Sequence, residues 1–145
     1  MSAIEPSPAL EWYAICVVVL FLKMFALSSY QAVHRIGRRV FTNPEDAKYF
    51  GTDVAPEELE PVRRAARAWA NDIENIPAFF ALGVTYVLLG ASPGAAAPLF
   101  VTFTVARILH SLVYLAGLQP WRTVAYSLGV ASLFGMSIAI VAALA

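Results

Sequence analysis

Polar side chains recur at helical spacing inside otherwise apolar stretches of this chain. Arg67, Asn71 and Glu74 stand at positions i, i+4 and i+7, which places them on one face of a helix. Two later stretches repeat the pattern, with Arg107, His110, Ser111 and Tyr114 in one and Arg122, Thr123 and Tyr126 in the other. Polar groups at membrane depth are costly, so each stripe is a hypothesis for a functional site.

Together the three stripes supply guanidinium, carboxylate, amide, imidazole and phenol groups. Guanidiniums pair bidentately with carboxylates, and the carboxylate of Glu74 is suited to an ammonium. A guanidinium or a tyrosine hydroxyl also stabilises a thiolate. The set therefore predicts a ligand that is a small zwitterion with more than one carboxylate and one ammonium.

Structural roles compete with this interpretation. A buried ion pair between Glu74 and Arg107 explains both residues equally well and does not exclude a ligand role. His110 alone is typical of an interhelical hydrogen bond, Tyr126 of an interfacial aromatic belt, and Lys23 of a snorkelling or paired structural residue. Arginines at helix ends anchor to anionic headgroups, an interpretation that we favour for Arg38, Arg39, Arg63 and Arg64.

The composition predicts a single membrane domain over residues 1–145. Hydrophobic residues make up 59% of the chain and charged residues only 14%, and the mean hydropathy is +0.66. The formal net charge is zero, so no basic field indicates a nucleic-acid partner. The single cysteine, Cys16, excludes an intrachain disulfide and a cysteine-based zinc site, and two isolated histidines predict no metal site.

Four apolar stretches are long enough to cross a membrane, which takes roughly 20 residues. They cover about 8–39, 61–90, 95–117 and 120 to the C-terminus. Seven of the ten basic residues lie between Arg35 and Arg67, whereas the second connection has none. The positive-inside bias therefore places the first and third connections in the cytosol and both termini away from it. Polar residues lie toward the cytosolic end of every stretch, including Arg35 on the first, so all four stripes are expected to converge.

Several short motifs in the same order resemble those of one family. The segment Arg67–Glu74 resembles the signature R-A-x-x-N-D-x-E, and Arg107–Tyr114 resembles R-x-x-H-[ST]-x-x-Y. Asn43–Ala47 reads N-P-E-D-A, Lys23 precedes a methionine, and Gln119–Arg122 resembles the turn that opens the fourth helix. Nearly the whole chain resembles the MAPEG family, the membrane-associated proteins in eicosanoid and glutathione metabolism.

The resemblance implies an all-α fold in which four-helix membrane bundles assemble as a homotrimer. It implies that glutathione binds between neighbouring subunits, near the cytosolic face, and that the site opens sideways to the bilayer. The positions that match glutathione-binding positions of the family are Arg35, Arg67, Asn71, Glu74, His110, Tyr114, Arg122 and Tyr126. Arg107 matches an arginine that supports the glutamate. Arg122 matches the arginine beside the thiol and, with Tyr114, is expected to be catalytic. Asp46 and Thr123 are candidate proton-handling residues of a synthase-like mechanism.

The function implied by the resemblance is that of an integral membrane glutathione transferase. It would conjugate glutathione to lipophilic electrophiles or reduce peroxides, in a bacterial inner membrane or an endoplasmic reticulum. A glutathione-dependent prostaglandin E synthase-like isomerase is one alternative, disfavoured because Ala70 and Gln119 replace arginines and Thr123 replaces a serine. A non-catalytic lipid-binding scaffold is the other, disfavoured because the polar stripes are retained.

Overall fold

A computed structural model describes residues 6–145, and within that range the chain is entirely helical, without strands. It forms five helices, which are α1 (Pro8–Arg38), α2 (Pro44–Phe50), α3 (Glu60–Leu88), α4 (Pro93–Ala116) and α5 (Trp121–Leu144). The four long helices follow the four predicted apolar stretches closely, so hydropathy and loop punctuation together located them.

The ends of the helices follow from local chemistry. The hydroxyl of Ser7 accepts a hydrogen bond from the Leu10 amide at 3.2 Å and caps α1, and Pro8 occupies the first turn. Helix α4 ends where Gly117 adopts a left-handed conformation with φ 71°, which a residue without Cβ tolerates best. The connection that follows is therefore short, and it places the start of α5 beside the end of α4.

The first connection contains a short helix that the sequence analysis did not predict. Pro44 begins α2, the acidic residues Glu45 and Asp46 occupy its first turn, and Gly51 ends it with φ 64°. A fixed proline φ and acidic groups at a helix N-terminus both favour a helical turn. Pro44 thus starts a helix within the connection.

Three helices, α1, α4 and α5, are long and apolar enough to cross a membrane, with a mean hydropathy of 1.7 to 2.1 in their most apolar windows. Helix α3 does not meet that criterion, because its first half carries six charged residues: Glu60, Arg63, Arg64, Arg67, Asp72 and Glu74. It nevertheless packs against α1, α4 and α5. Large apolar side chains such as Phe21 and Phe25 are exposed on the outer face of α1, as expected of a surface that contacts lipid.

The apolar core lies at the end of the molecule away from the first connection. Phe79 on α3 stacks on Phe103 of α4 with ring centroids 4.6 Å apart, and both rings are fully buried beside Phe100 and Met136. The opposite end, where α3 begins and α4 finishes, carries the polar stripes instead. The fold therefore separates a packed aromatic end from a polar end.

Gly83 lets α1 approach α3 closely within this aromatic core. A Cβ atom on Gly83 would lie 2.5 Å from Cε2 and 2.8 Å from Cδ2 of Tyr13. That ring has little freedom to move, because its hydroxyl donates a 2.9 Å hydrogen bond to the Phe80 carbonyl and it packs on Phe79 and Phe100. The contact between the two helices therefore depends on the missing side chain.

We predict that Gly83→Ala destabilises the protein, since overpacking a close helix contact costs about 1–3 kcal/mol. The measurement is the thermal unfolding midpoint of the detergent-purified protein. Gly37→Ala is the matched control, because Gly37 is also helical but has open space around it. A Gly83→Ala variant that melts at the wild-type temperature would show that α1 and α3 do not need this close approach.

Candidate functional site

A polar cavity of about 440 Å³ opens between α3, α4 and α5 at the polar end of the molecule. The residues that line it are Arg67, Ala70, Asn71, Glu74, His110, Tyr114, Arg122, Thr123 and Tyr126. Because the stripes repeat every three or four residues, each helix turns one polar face toward the same space. Residues from three of the four predicted stripes therefore meet here, whereas Arg107 and Ser111 of the α4 stripe do not line the cavity.

A second, outer cavity of about 240 Å³ adjoins this first, inner cavity and extends it toward the ends of the helices. The two cavities share Arg67, Tyr114 and Arg122. Glu60 and Arg64 line the outer part and form an exposed ion pair, with Glu60 Oε1 3.0 Å from Arg64 Nε. Hydrogen bonds from Arg63 and then Arg64 lower the pKa of Glu60, so this carboxyl is ionised at neutral pH.

Two neighbours fix the Arg122 side chain at the junction of the cavities. Its guanidinium carbon lies 4.8 Å from the centroid of the Tyr114 ring, a cation–π geometry. The Gln119 amide oxygen can accept hydrogen bonds from Arg122 Nε at 3.1 Å and Nη2 at 2.5 Å. Neither neighbour neutralises the charge, and Arg122 forms no ion pair among residues 6–145. Arg67 resembles it in this respect, so the cavity holds two guanidiniums without a carboxylate partner within the described chain.

His110 forms the buried part of the wall on α4. Its ring centroid lies 5.6 Å from that of Tyr114 and 6.3 Å from that of Tyr126, so two phenol rings flank the imidazole. The His110 side chain is almost fully buried, whereas Tyr126 on α5 remains 40% exposed. The exposure of the wall thus increases from the buried His110 imidazole to the Tyr126 ring, which lies beside the outer surface of α5.

Arg107 lies behind the cavity and does not line it. Its Nη2 donates to Asn71 Oδ1 at 2.7 Å and to Asp72 Oδ1 at 2.6 Å, and the side chain is 1% exposed. Lys23 on α1 forms an ion pair with the other carboxylate oxygen, Asp72 Oδ2. Of the two structural roles predicted for Lys23, snorkelling or pairing, the structure shows pairing.

The proposed ion pair between Glu74 and Arg107 is wrong, because the partner of Arg107 is Asp72. Residues 72 and 74 point about 200° apart around a helix, so only one of them can face α4 at this depth. Glu74 faces the cavity, where its Oε2 lies 3.4 Å from Asn71 Nδ2. Asp72 was not singled out from the sequence, although a carboxylate that is fully buried between helices is itself a signal of function.

Arg35 and Asp46 are not brought to the cavity of their own chain. Arg35 Nη2 lies 2.6 Å from Glu58 Oε2, in the connection between α2 and α3, and Asp46 on α2 accepts a 3.2 Å hydrogen bond from Asn43, which precedes that helix. Helix α1 packs on α3 and α4, whereas α3, α4 and α5 wall the cavity. Within one chain the stripe of α1 therefore stays apart from the other three.

The described residues hold no group of three or more histidine, cysteine, aspartate or glutamate side chains that could hold a metal ion. What the site offers is polar binding groups around a space of ligand size. Arginines and a carboxylate in the lining of one cavity suit a ligand that carries both signs of charge.

Comparisons with known proteins agree on one family. Residues 13–142 match the sequence model of the MAPEG family. Human prostaglandin E synthase is 36% identical over 128 residues, which cover 88% of this chain and 84% of the relative. Microsomal glutathione S-transferase 1 is 36% identical in human over 122 residues (81% of this chain, 79% of the relative) and 39% identical in mouse over 116 residues (77% and 75%).

The family match spans nearly the whole chain and includes the three helices that wall the cavity. The aligned regions also cover most of the length of each relative, so the similarity is not limited to one segment. This chain belongs to the MAPEG family.

Proposed function

We propose that this protein is a membrane-bound glutathione transferase that acts on lipophilic electrophiles, with glutathione as its cosubstrate and peroxide reduction as a second reaction of the same site. The observation that carries the proposal is the cavity in which two guanidiniums without carboxylate partners face one carboxylate and one amide. The relatives named microsomal glutathione S-transferase 1 support the reaction class.

The charges of the cavity complement those of glutathione. Glutathione carries two carboxylates, one ammonium and a thiol, and the cavity presents the opposite signs. The guanidinium of Arg67 is suited to a carboxylate, and Glu74 to the ammonium. Asn71, His110 and Tyr126 add hydrogen-bonding groups along the same wall. Arg107 contributes indirectly, because it holds Asn71.

Arg122 is the residue that we assign to the thiol. A free thiol has a pKa of about 8.5 and is mostly protonated at neutral pH. A guanidinium within hydrogen-bonding distance favours the thiolate, which is the nucleophile. The thiolate sulfur then forms a bond to the electrophilic carbon, and the leaving group departs with the bonding electrons. The Tyr114 phenol and the Thr123 hydroxyl line the same space and are the remaining candidates for catalytic hydrogen bonds.

The lipophilic substrate would reach the site from the bilayer along α5. Val124 and Leu128 are exposed on this helix, next to Tyr126 at the open edge of the cavity. Membrane lipid would thus deliver the apolar reactant, while the charged groups bind the water-soluble one. In this arrangement the site lies near the cytosolic face and both termini lie on the other side of the membrane.

We also propose that residues 1–145 form one four-helix bundle domain and that three copies assemble. The position of Arg35 supports this, because it lies outside the cavity of its own chain, while the exposed Glu74 and Tyr126 leave that cavity open at one side. A neighbouring α1 would bring Arg35 and the adjacent Asp46 segment to that opening. A native mass measurement that finds only a 15.7 kDa species in mild detergent would contradict the assembly.

A prostaglandin E synthase-like isomerase is the second candidate, since relatives of that name match this chain equally well. Ala70 and Thr123 line the cavity, where the isomerase is expected to have an arginine and a serine. Product analysis with a prostaglandin endoperoxide separates the two reactions: an isomer formed without net consumption of glutathione would favour the isomerase.

Titration of the detergent-purified protein with glutathione tests the proposal directly. Isothermal titration should give saturable binding, the ultraviolet absorbance of the thiolate should rise with occupancy, and an aryl halide should be conjugated. Binding without thiolate or turnover would contradict the transferase. An absence of binding would favour a lipid-binding scaffold.

Replacing the guanidinium beside the thiol should separate catalysis from binding. We expect Arg122→Ala to lower kcat about 100-fold, because it removes a charge that stabilises the reacting thiolate. The dissociation constant of glutathione should change far less, since the other cavity residues remain. Arg38→Ala is the control, because Arg38 is exposed at the end of α1. An Arg122→Ala variant with wild-type turnover would show that another group activates the thiol.

Among the described residues, Glu74 is the one carboxylate that lines the inner cavity, and its removal should weaken binding more than turnover. We expect Glu74→Ala to raise the dissociation constant of glutathione about tenfold, since a charge-assisted hydrogen bond contributes about 1.5–3 kcal/mol. Isothermal titration measures the change, and Glu11→Ala in the exposed first turn of α1, at the other end of the molecule, serves as the control. Equal affinities in the two variants would place the ammonium elsewhere.

A further inference from the structure

A chain of polar contacts runs from α1 to the ligand side of the cavity. Lys23 Nζ binds Asp72 Oδ2, and the other oxygen of that carboxylate, Oδ1, accepts from Arg107 Nη2 at 2.6 Å. The same Nη2 donates to Asn71 Oδ1 at 2.7 Å. Asn71 Nδ2 then lies 3.4 Å from Glu74 Oε2, at the cavity wall.

The first three members of this chain are shielded from solvent and from the cavity. The side chains of Lys23, Asp72 and Arg107 are 9%, 0% and 1% exposed. They come from α1, α3 and α4, and none of them lines the inner cavity. The hydrogen-bonded route from Lys23 and Asp72 to the cavity therefore passes through Arg107 and Asn71.

We propose that Lys23 and Asp72 are positioning residues of the site, which act through Arg107 to hold the Asn71 amide with its N–H groups toward the ligand. An amide presents either an acceptor or two donors, depending on which way it is turned. Because Arg107 has only donors, it binds the oxygen of Asn71 and leaves the nitrogen for the cavity. The wall therefore offers a donor to an oxygen of the ligand.

The role of Lys23 follows from the fact that the two oxygens of the Asp72 carboxylate bind different cations. Lys23 occupies Oδ2, so Arg107 binds Oδ1 alone, and the Nη2 that donates to this oxygen also donates to Asn71. Arginine prefers to bind both oxygens of a carboxylate in a bidentate fork. Without Lys23, Oδ2 becomes available, Arg107 turns toward Asp72, and the Asn71 oxygen loses its partner. The amide is then free to rotate.

The inference rests on the proposed function in one respect, since it uses glutathione as the ligand whose oxygens meet the Asn71 donor. We expect Lys23→Met to raise the dissociation constant of glutathione about tenfold, the effect of losing one charge-assisted hydrogen bond. The kcat at saturating glutathione should stay within about twofold, because Arg122 is untouched. Lys23→Gln, which keeps a donor for Asp72 without the charge, should give a smaller increase.

A matched control separates positioning from a general loosening of α1 against α3. Tyr13→Phe removes another contact between the same two helices, the 2.9 Å hydrogen bond to the Phe80 carbonyl, at the end remote from the cavity. We expect this variant to bind glutathione as the wild type does, even if it melts earlier. Equal weakening by Tyr13→Phe and Lys23→Met would overturn the proposal in favour of a purely structural role.

A double-mutant cycle with Asn71→Ala tests the route of the effect. If Lys23 acts through the amide, Lys23→Met should no longer change the dissociation constant once Asn71 is replaced. A tenfold effect that persists in the Asn71→Ala background would overturn the inference. Wild-type protein that does not bind glutathione would refute the proposed function instead, whereas wild-type binding with unchanged affinity in Lys23→Met and Lys23→Gln would refute only the positioning role.

Discussion

The polar end of this protein depends on the burial of one carboxylate between two cations. Asp72 lies fully buried between Lys23 and Arg107, so α1, α3 and α4 meet at a single charged cluster. A charge in an apolar surrounding is tolerated only when it is paired and hydrogen-bonded, so removal of Asp72 would leave two buried cations without a carboxylate partner. The cluster therefore constrains how the three helices are turned relative to one another, and the cavity wall follows from that rotation.

The two ends of the molecule meet different physical demands. At the aromatic end, Phe79, Phe100 and Phe103 fill the space between helices, and Gly83 brings α1 close to α3. At the polar end the helices leave a space, and hydrogen-bonding side chains line it. Close packing supplies rigidity where no ligand enters, and this rigidity allows the polar side chains to hold defined positions around an open volume.

The key cation of the cavity is oriented by uncharged neighbours. Arg122 sits on the face of the Tyr114 ring and beside the Gln119 amide, which orient its charge without neutralising it. A carboxylate partner would have orientated the guanidinium equally well but would have cancelled the charge that an anionic ligand needs. In contrast, Arg35 and Arg64 have carboxylate partners and are located outside the inner cavity.

The sequence by itself determined the four long helices, the polar stripes and the family, because hydropathy, helical spacing and short motifs are local properties of the chain. It also placed Arg67, Asn71 and Glu74 on one face, which the cavity retains. Only the tertiary structure decided which carboxylate pairs with Arg107, since that depends on how α3 is rotated against α4. It likewise placed Arg35 with Glu58 and away from the cavity, because the packing of α1 on α3 and α4 is a long-range contact that no local pattern encodes.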